Sequence, residues 1–446
     1  MSKPGKNACP ESVPSTEVDI TQDMPSPVDD SMFASLKERD YMFLWIGMLG
    51  SAFAMNMQLV ARGWLVYEMT SSAVSLTYVT LAFMLPQVIF SPIGGVLADR
   101  IKKKGIIGWG PFANGCATLV MAYYVLNGEV TFEHFIWMGL FNGTVMALSI
   151  PARTAFIPEI VGESLMFNAM AFNTASWNLA RILGPALAGF MIAIFADGDT
   201  SSSFGVGLVY IVLAALYLVS AFTVMPIRHK GTPTATSEKS PINDLIEGVQ
   251  YVIKSKIVGG LILLSIFPFL FGLSINTFLP AFNRDVLQGG PDDLGLLMTF
   301  MGVGAIAGSL MLAKLGNLKR KGYWVLITSI MWGIGVAVFA ITIDFYLAAT
   351  VIGFIGLASA INMSMNRSLI QLQVSQRMRG RVMSIDMMSH GLMPLGVLPI
   401  SYLVDNISIQ VGLVTSGIIL VLLTIVTGVL MPQIRAIDKG YRRELD

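Results

Sequence analysis

The sequence predicts an all-α integral membrane protein with twelve transmembrane helices in two six-helix bundles. Three observations carry that expectation. Apolar stretches long enough to cross a bilayer recur along most of the 446 residues. Hydrophobic residues make up 54% of the chain and charged ones 13%, with a mean hydropathy of +0.68, whereas a soluble domain is about 25% charged. Lysine and arginine also gather on alternate connections between the apolar stretches, as the retention of positive residues on the cytoplasmic side requires.

Residues 1–41 are rich in Pro, Ser and acids and lack the apolar core of a cleaved signal peptide, so they read as a disordered cytosolic tail. Twelve apolar runs follow, each near the ~20 residues that ~30 Å of hydrocarbon demands of a helix. Those near 42–66, 74–97, 106–127, 134–156, 167–195 and 204–226 form a first bundle, 42–226. Those near 257–279, 293–315, 323–343, 345–371, 383–404 and 409–431 form a second, 257–432, before a cytosolic tail at 433–446. Their apolar residues run continuously instead of alternating, which favours helices over barrel strands. The polar linker 227–256 contains a helix start at Ser240-Pro241, with Ile242, Leu245, Ile246, Val249, Val252 and Ile253 at helical spacing. This amphipathic helix either lies on the inner membrane surface or packs on the bundles' cytosolic ends. A shift of 214 residues sets Pro151-Ala152-Arg153-Thr154 over Met365-Asn366-Arg367-Ser368 and Pro185 over Pro399, and a shift of 213 sets Gly95 over Gly308. This faint repetition makes the bundles pseudo-symmetric copies.

Most of the 29 lysines and arginines fall in segments that face the cytosol if both termini do, and the outside loops hold only Arg284. The expected location is therefore a bacterial-type inner membrane with both ends cytosolic. A net charge of +1 gives no field for nucleic acid. Cys9 and Cys116 have no metal or disulfide spacing, and with three histidines and no HExxH, GxSxG or GxxxxGK[ST] the chain has little to serve as an enzyme. No cofactor or metal is expected. The partners are a small-molecule substrate, protons and the lipid bilayer, around a monomer.

Two motifs carry the functional reading. Between the second and third spans stands Gly94-Gly95-Val96-Leu97-Ala98-Asp99-Arg100-Ile101-Lys102-Lys103-Lys104, in which glycines permit close helix approach and the basic cluster anchors the loop inside. In the fifth span Gly184, Pro185 and Gly189 combine close packing with a kink. The first run resembles the signature loop of the major facilitator superfamily, with Lys102 in place of the second glycine. The second resembles the antiporter motif of its drug:proton antiporters, with Ala188 in place of a glycine. Gln58 to Glu68, Pro151-Ala152-Arg153, Asn178 to Pro185 and Arg379 to Ser384 extend the resemblance to the group's enterobactin and macrolide exporters, over about 40–432. The resemblance implies the major facilitator fold and proton-driven efflux of a siderophore or drug-like molecule. It also implies a latch through Gly95, Asp99, Arg100 and Lys103 that ties the first bundle to the start of span 11. A transport-incompetent sensor with the same fold is the alternative, and a polytopic enzyme a weaker one.

Charges inside spans are costly, roughly 2.5–3.5 kcal/mol or more at the bilayer centre, so each is a functional hypothesis. Arg181, with Arg62, Asn56 and Gln58, is expected to line a central cavity and hold anionic or acceptor-rich groups. No Asp or Glu falls in the middle third of any span. Proton coupling is therefore assigned to groups nearer the ends: Asp386 with His390 one turn on, and Glu68.

Overall fold

The computed structural model describes residues 33–196, 203–231, 241–314 and 319–437, apart from the side chains of Pro92, Val96, Asp99, residues 241–245, Ser389 and His390. Described residues form helices and connections, with no strand among them. In chain order the helices are α1 (Arg39–Thr70), α2 (Ala73–Arg100), α3 (Lys103–Leu126), and α4 and α5 as the two arms of Phe132–Phe195. They continue with α6 (Ser203–Phe222), the linker helix α7 (Pro241–Lys254), α8 (Lys256–Asp285), α9 (Pro291–Lys314), α10 (Lys321–Ala340), α11 (Phe345–Gln373), α12 (Arg379–Asn406) and α13 (Ile409–Leu430).

Ten helices among the described residues are long and apolar enough to cross a membrane. One of them is the 64-residue Phe132–Phe195, which divides in two at Gly162. The 24-residue α3 is not among the ten, its apolar run being diluted by Asn114, glycines and tyrosines. Counting α3 as a span reaches the twelve that the sequence predicts.

Helix starts are set by side chains that satisfy the free N–H groups of the first turn. Ser72 accepts from Ser75 N at 3.2 Å, Asp344 from Leu347 N at 2.9 Å and Ser408 from Val411 N at 3.3 Å. Three breaks lie inside predicted spans or replace predicted loops. The loop expected between spans 4 and 5 is absent, because the helix continues through it and turns only at Gly162, whose φ of 68° and ψ of 179° only glycine adopts without strain. α8 is interrupted by a π turn at Pro268–Gly272, and α12 breaks between His390 and Met393.

Close helix pairs recur in both halves. In the first, a Cβ on Gly94 of α2 would fall 2.3 Å from the carbonyl oxygen of Ala147 on α4. In the second, one on Gly308 of α9 would fall 2.5 Å from that of Leu357 on α11, and one on Gly304 only 1.9 Å from that of Gly353. Backbones this close exclude side chains, which is how helices gain contact where lipid offers no hydrophobic drive to associate. The outer surface is correspondingly apolar, with Trp109 and Trp137 each 70% exposed and Leu430 73%.

One boundary differs from the sequence reading. Residues 33–41, expected in the disordered tail, are helical and packed: Ser35 N donates to Asn168 Oδ1 at 3.1 Å and Tyr41 Oη to Ala169 O at 2.6 Å. They fold because the start of α5 offers buried acceptors; residues 1–32 lie outside the described set. The linker helix forms as expected, and Glu247 meets Arg381 of α12 at 2.7 Å. Ile246, Val249 and Ile253 stay exposed on another face, so the helix packs on the second half while keeping an apolar stripe outward.

The α9–α11 contact predicts that Gly304→Val, which must part the two backbones, costs at least ~1–3 kcal/mol. Thermal melting of the detergent-solubilised protein is expected to shift down, whereas Gly105→Ala, with nothing within 4 Å of its new Cβ, should melt no lower than wild type.

Candidate functional site

Helix ends at Arg100, Lys103, Lys254, Lys256, Lys314, Lys321 and Arg379 share one face of the molecule, the basic end. The opposite, acidic end carries Glu68, Asp285, Asp344 and Asp405, and here the two halves are tied. Asp405, in the last turn of α12, caps α2 from across the interface. Ser72 Oγ donates to it at 2.6 Å, and the backbone amides of Ala73 and Val74 donate at 2.7 and 3.2 Å. A carboxylate is favoured there by the orphan N–H groups and by the helix macrodipole. Beside it Tyr67 Oη donates to Asp285, Arg284 Nε lies 2.9 Å from Glu68 Oε1, and the hydroxyls of Tyr78 and Tyr402 meet at 3.1 Å.

Nearer the midplane α5 lies on α9. A Cβ on Gly189 would fall 2.2 Å from Pro291 O, one on Gly295 would fall 2.6 Å from Pro185 O, and Thr299 Oγ1 donates to Ile182 O at 3.0 Å. Gly184 meets α1 instead, where its Cβ would stand 2.9 Å from that of Asn56. The Gly184, Pro185, Gly189 run is thus a packing surface serving both halves. At the basic end the first piece of α12 packs chiefly against α7 and α8 of its own half. Among the described residues the polar ties between the halves lie from the midplane to the acidic end.

Inside the first half runs a polar seam. Gln58 Oε1 accepts from Asn142 Nδ2 at 3.3 Å and from Tyr217 Oη at 3.4 Å. The Arg62 guanidinium sits 5.5 Å from the Phe83 ring centroid and feels the hydroxyls of Tyr210 and Tyr217. Tyr217 in turn lines the same cavity as Arg153. No Asp or Glu occurs in residues 41–67, 69–98, 104–128, 134–158, 164–196 or 203–231, so the seam is a pair of guanidiniums without an internal carboxylate. Beside Arg153 lies a cavity of about 210 Å³, walled by α1, α3, α4, α5 and α6.

The structure separates the residues singled out by sequence. Gln58 and Arg62 belong to the seam, whereas Asn56 donates to Ala52 O at 2.9 Å and Arg181 is exposed and donates to Asn178 Oδ1 at 3.3 Å. Gly95 has open space around it and Arg100 is exposed. Lys103, expected to take part in the latch between bundles, is instead 1% exposed and pairs with Glu159 of its own half at 2.7 Å. An ammonium held in so little water needs a carboxylate that close. Asp386 is buried, accepting from Ser265 Oγ at 2.5 Å and lying 3.5 Å from Arg367 Nε. Glu68 pairs with Arg284 at 2.9 Å. The side chains of Asp99 and His390 lie outside the described set. Sequence reasoning passed over Asp285 and Asp405, whose only signal is an acid beside a span end. It also gave Arg153 no role, although an arginine in an acid-free half was there to be read.

A family model described as transmembrane secretion effector matches residues 30–444. The staphyloferrin A transporter of Staphylococcus aureus (strain NCTC 8325 / PS 47) is 24% identical over 387 residues, covering 86% of this chain and 91% of that protein. The enterobactin exporter EntS of Shigella boydii serotype 4 (strain Sb227) is 23% identical over 343 residues, 76% of each. Among solved structures, a bacterial homologue of the iron transporter ferroportin in an inward-facing state has a TM-score of 0.69 at 13% identity, covering 89% of this chain and 99% of that one. The nucleoside transporter NupG has a TM-score of 0.64 at 14% identity, covering 89% and 98%. Likeness at such identity shows the fold, which is that of the major facilitator transporters.

The cross-half cap predicts that Asp405→Ala loosens the acidic end, since hydrogen bonds to a charged group are worth about 1.5–3 kcal/mol each. Ala73 is fully buried beneath that cap. In a Cys9→Ser, Cys116→Ser background, maleimide labelling of Ala73→Cys is expected to quicken about tenfold or more when Asp405→Ala is added. An unchanged rate would mean that the seal does not depend on Asp405.

Proposed function

The chain belongs to the transmembrane secretion effector family, and we propose that it is a secondary transporter exporting a small, siderophore-like organic molecule by alternating access, driven by proton influx. The observation that carries this reading is the one-sided distribution of ties, with Asp405, Asp285 and Glu68 joining the acidic ends while the start of α12 packs chiefly on α7 and α8 of its own half. Positive residues are held on the cytoplasmic side, so the basic end faces the cytosol of a bacterial inner membrane, with both termini inside. The conformation is then open inward, ready to load cargo. The relatives named for staphyloferrin A and enterobactin supply the siderophore class, and the chain works as a monomer.

Rocking the two halves about the midplane exposes the cargo outward. The ties at the acidic end then break, and Gly95, Asp99 and Arg100 meet the start of α12 as the inner latch, with Lys103 holding that loop to Glu159. The smooth Gly184, Pro185, Gly189 surface lets α5 move on α9 without interlocking side chains. Arg181 and Asn56 face cargo along the path, backed by the seam of Arg62 and Gln58. Protons enter through Glu68 and leave through Asp386 and His390, where protonation frees Arg367 from its partner.

Everted membrane vesicles loaded from outside with enterobactin or staphyloferrin A test this reading. ATP-independent uptake that a protonophore abolishes is expected. Arg181→Ala is expected to lower it several-fold at equal membrane abundance, while Asp386→Asn with His390→Ala should leave transport that no longer responds to the pH gradient. Uptake of neither compound, or uptake indifferent to the protonophore, would remove the substrate class or the coupling respectively.

A further inference from the structure

The cavity in the first half lies on the basic side of the midplane. Its polar lining includes Arg153 on α4, Asn114 on α3, Asn173 on α5 and Tyr217 on α6, with Trp177 beside them. Three of these groups are buried and lack a partner: Arg153 Nε, Asn114 Oδ1 and Asn173 Oδ1 have no hydrogen bond. The ionisable group that Arg153 feels is Tyr217, a neutral phenol at ordinary pH. A half-buried guanidinium whose Nε is shut from solvent and meets no acceptor is costly to leave so, and unmet buried acceptors add to it.

The internal repeat sharpens the anomaly. Arg367 occupies the place in the second half that Arg153 occupies in the first, and it is answered by Asp386 at 3.5 Å. Shifts of 214 and 213 place Phe172 and Asn173 over Asp386. The copy that lost, or never gained, the carboxylate has an amide and an open cavity in its stead, and its spans contain no other acid. Among the described residues no carboxylate answers Arg153, and a bound anion can take that place.

We propose that this cavity binds the acidic group of a hydroxy-acid, with Arg153 gripping the carboxylate and Asn114 and Asn173 taking the neighbouring hydroxyls. The inference rests on the transport reading above and names the chemical class of its cargo. A guanidinium matches a carboxylate through paired N–H donors. An amide oxygen without a donor accepts from a hydroxyl, and Trp177 with the surrounding methionines covers the apolar remainder of the molecule. A lipophilic cation, by contrast, would meet the charge of Arg153 and no carboxylate among the lining residues.

Titration of the purified full-length protein in detergent, followed by tryptophan emission and thermal shift, tests the assignment. The probes are citrate, 2,3-dihydroxybenzoate and, as the opposite charge, tetraphenylphosphonium. Both acids are expected to raise the melting temperature and quench emission, and Trp177→Phe should lose the quench but keep the shift. Arg153→Gln is expected to weaken acid binding about ten- to a hundredfold, the range for a hydrogen-bonded charge, with Arg153→Lys between it and wild type. Asn173→Asp is isosteric and sets a rival carboxylate in the cavity, so it should abolish acid binding while the protein stays folded; it keeps the test open if Arg153→Gln fails to fold. Acid affinity unchanged in Arg153→Gln or Asn173→Asp would overturn the assignment, as would a response to tetraphenylphosphonium and to neither acid. Failure of vesicle transport while both acids still bind would instead sink the exporter reading and leave the anion site standing.

Discussion

Hydrocarbon offers no partner for a polar group, and every other feature of this molecule follows from that constraint. Backbone N–H and C=O groups must pair within their own segment, so the chain crosses as helices. Charges must stay at the ends or find partners inside: Lys103 meets Glu159 at 2.7 Å and Arg367 meets Asp386 at 3.5 Å, while Arg62 and Arg153 sit in a half whose spans hold no carboxylate. Because lipid and leucine are equally apolar, association comes from contact area, hence the glycines that bring α2 onto α4 and α9 onto α11 within backbone distance.

The same constraint makes the interface between halves two-sided. Where both halves reach water at the acidic end, carboxylates can be shared between them, and Asp405 spends its oxygens on the first turn of α2 instead of on its own half. Such ties define a closed end, yet Asp405 is exposed and water can compete for its oxygens when the end opens. At the midplane the contact is of another kind, glycine against carbonyl between α5 and α9, which resists separation but carries no side chain to obstruct sliding. A seal built of exchangeable polar contacts around a smooth apolar pivot suits a molecule that opens alternately at its two ends.

Much of the fold was legible because span length and the distribution of Lys and Arg are properties of local sequence. The breaks were not. The π turn at Pro268–Gly272 opens on a proline, but Trp332, which stands 2.7 Å from where a Gly272 Cβ would be, packs there from 60 positions away, and no local pattern announces such a partner. The site was legible in its ingredients and obscure in its geometry. Gln58 and Arg62 stand out as polar residues in an apolar run, but a single sequence does not give a helix's rotation, and both turn into the first half toward Tyr217. Asp386 was paired with His390 by i, i+4 spacing, whereas the partners the structure displays are Ser265 and Arg367 on other helices. Arg153 stood near the edge of its predicted span, and its sequence position gave no sign of the cavity that it lines with Asn114, Asn173 and Tyr217.

The location of the cavity also limits how binding there can act. All five of its walls belong to one half, so a rigid rocking motion changes its mouth and leaves its lining untouched. A ligand shifts a conformational equilibrium only by the difference in its affinity for the two states, and a site built wholly from one rigid body supplies little difference by itself. The second half must therefore contribute once the basic end closes, and the elements that can reach across are those that part from the first half here: the start of α12 and the basic end of α11, which carry Asp386 and Arg367. An anion held by Arg153 alters the field that this buried pair feels, and a proton taken up by Asp386 frees Arg367 to answer the same anion. On this geometry cargo and proton are coupled through charge shared between two pseudo-symmetric arginines.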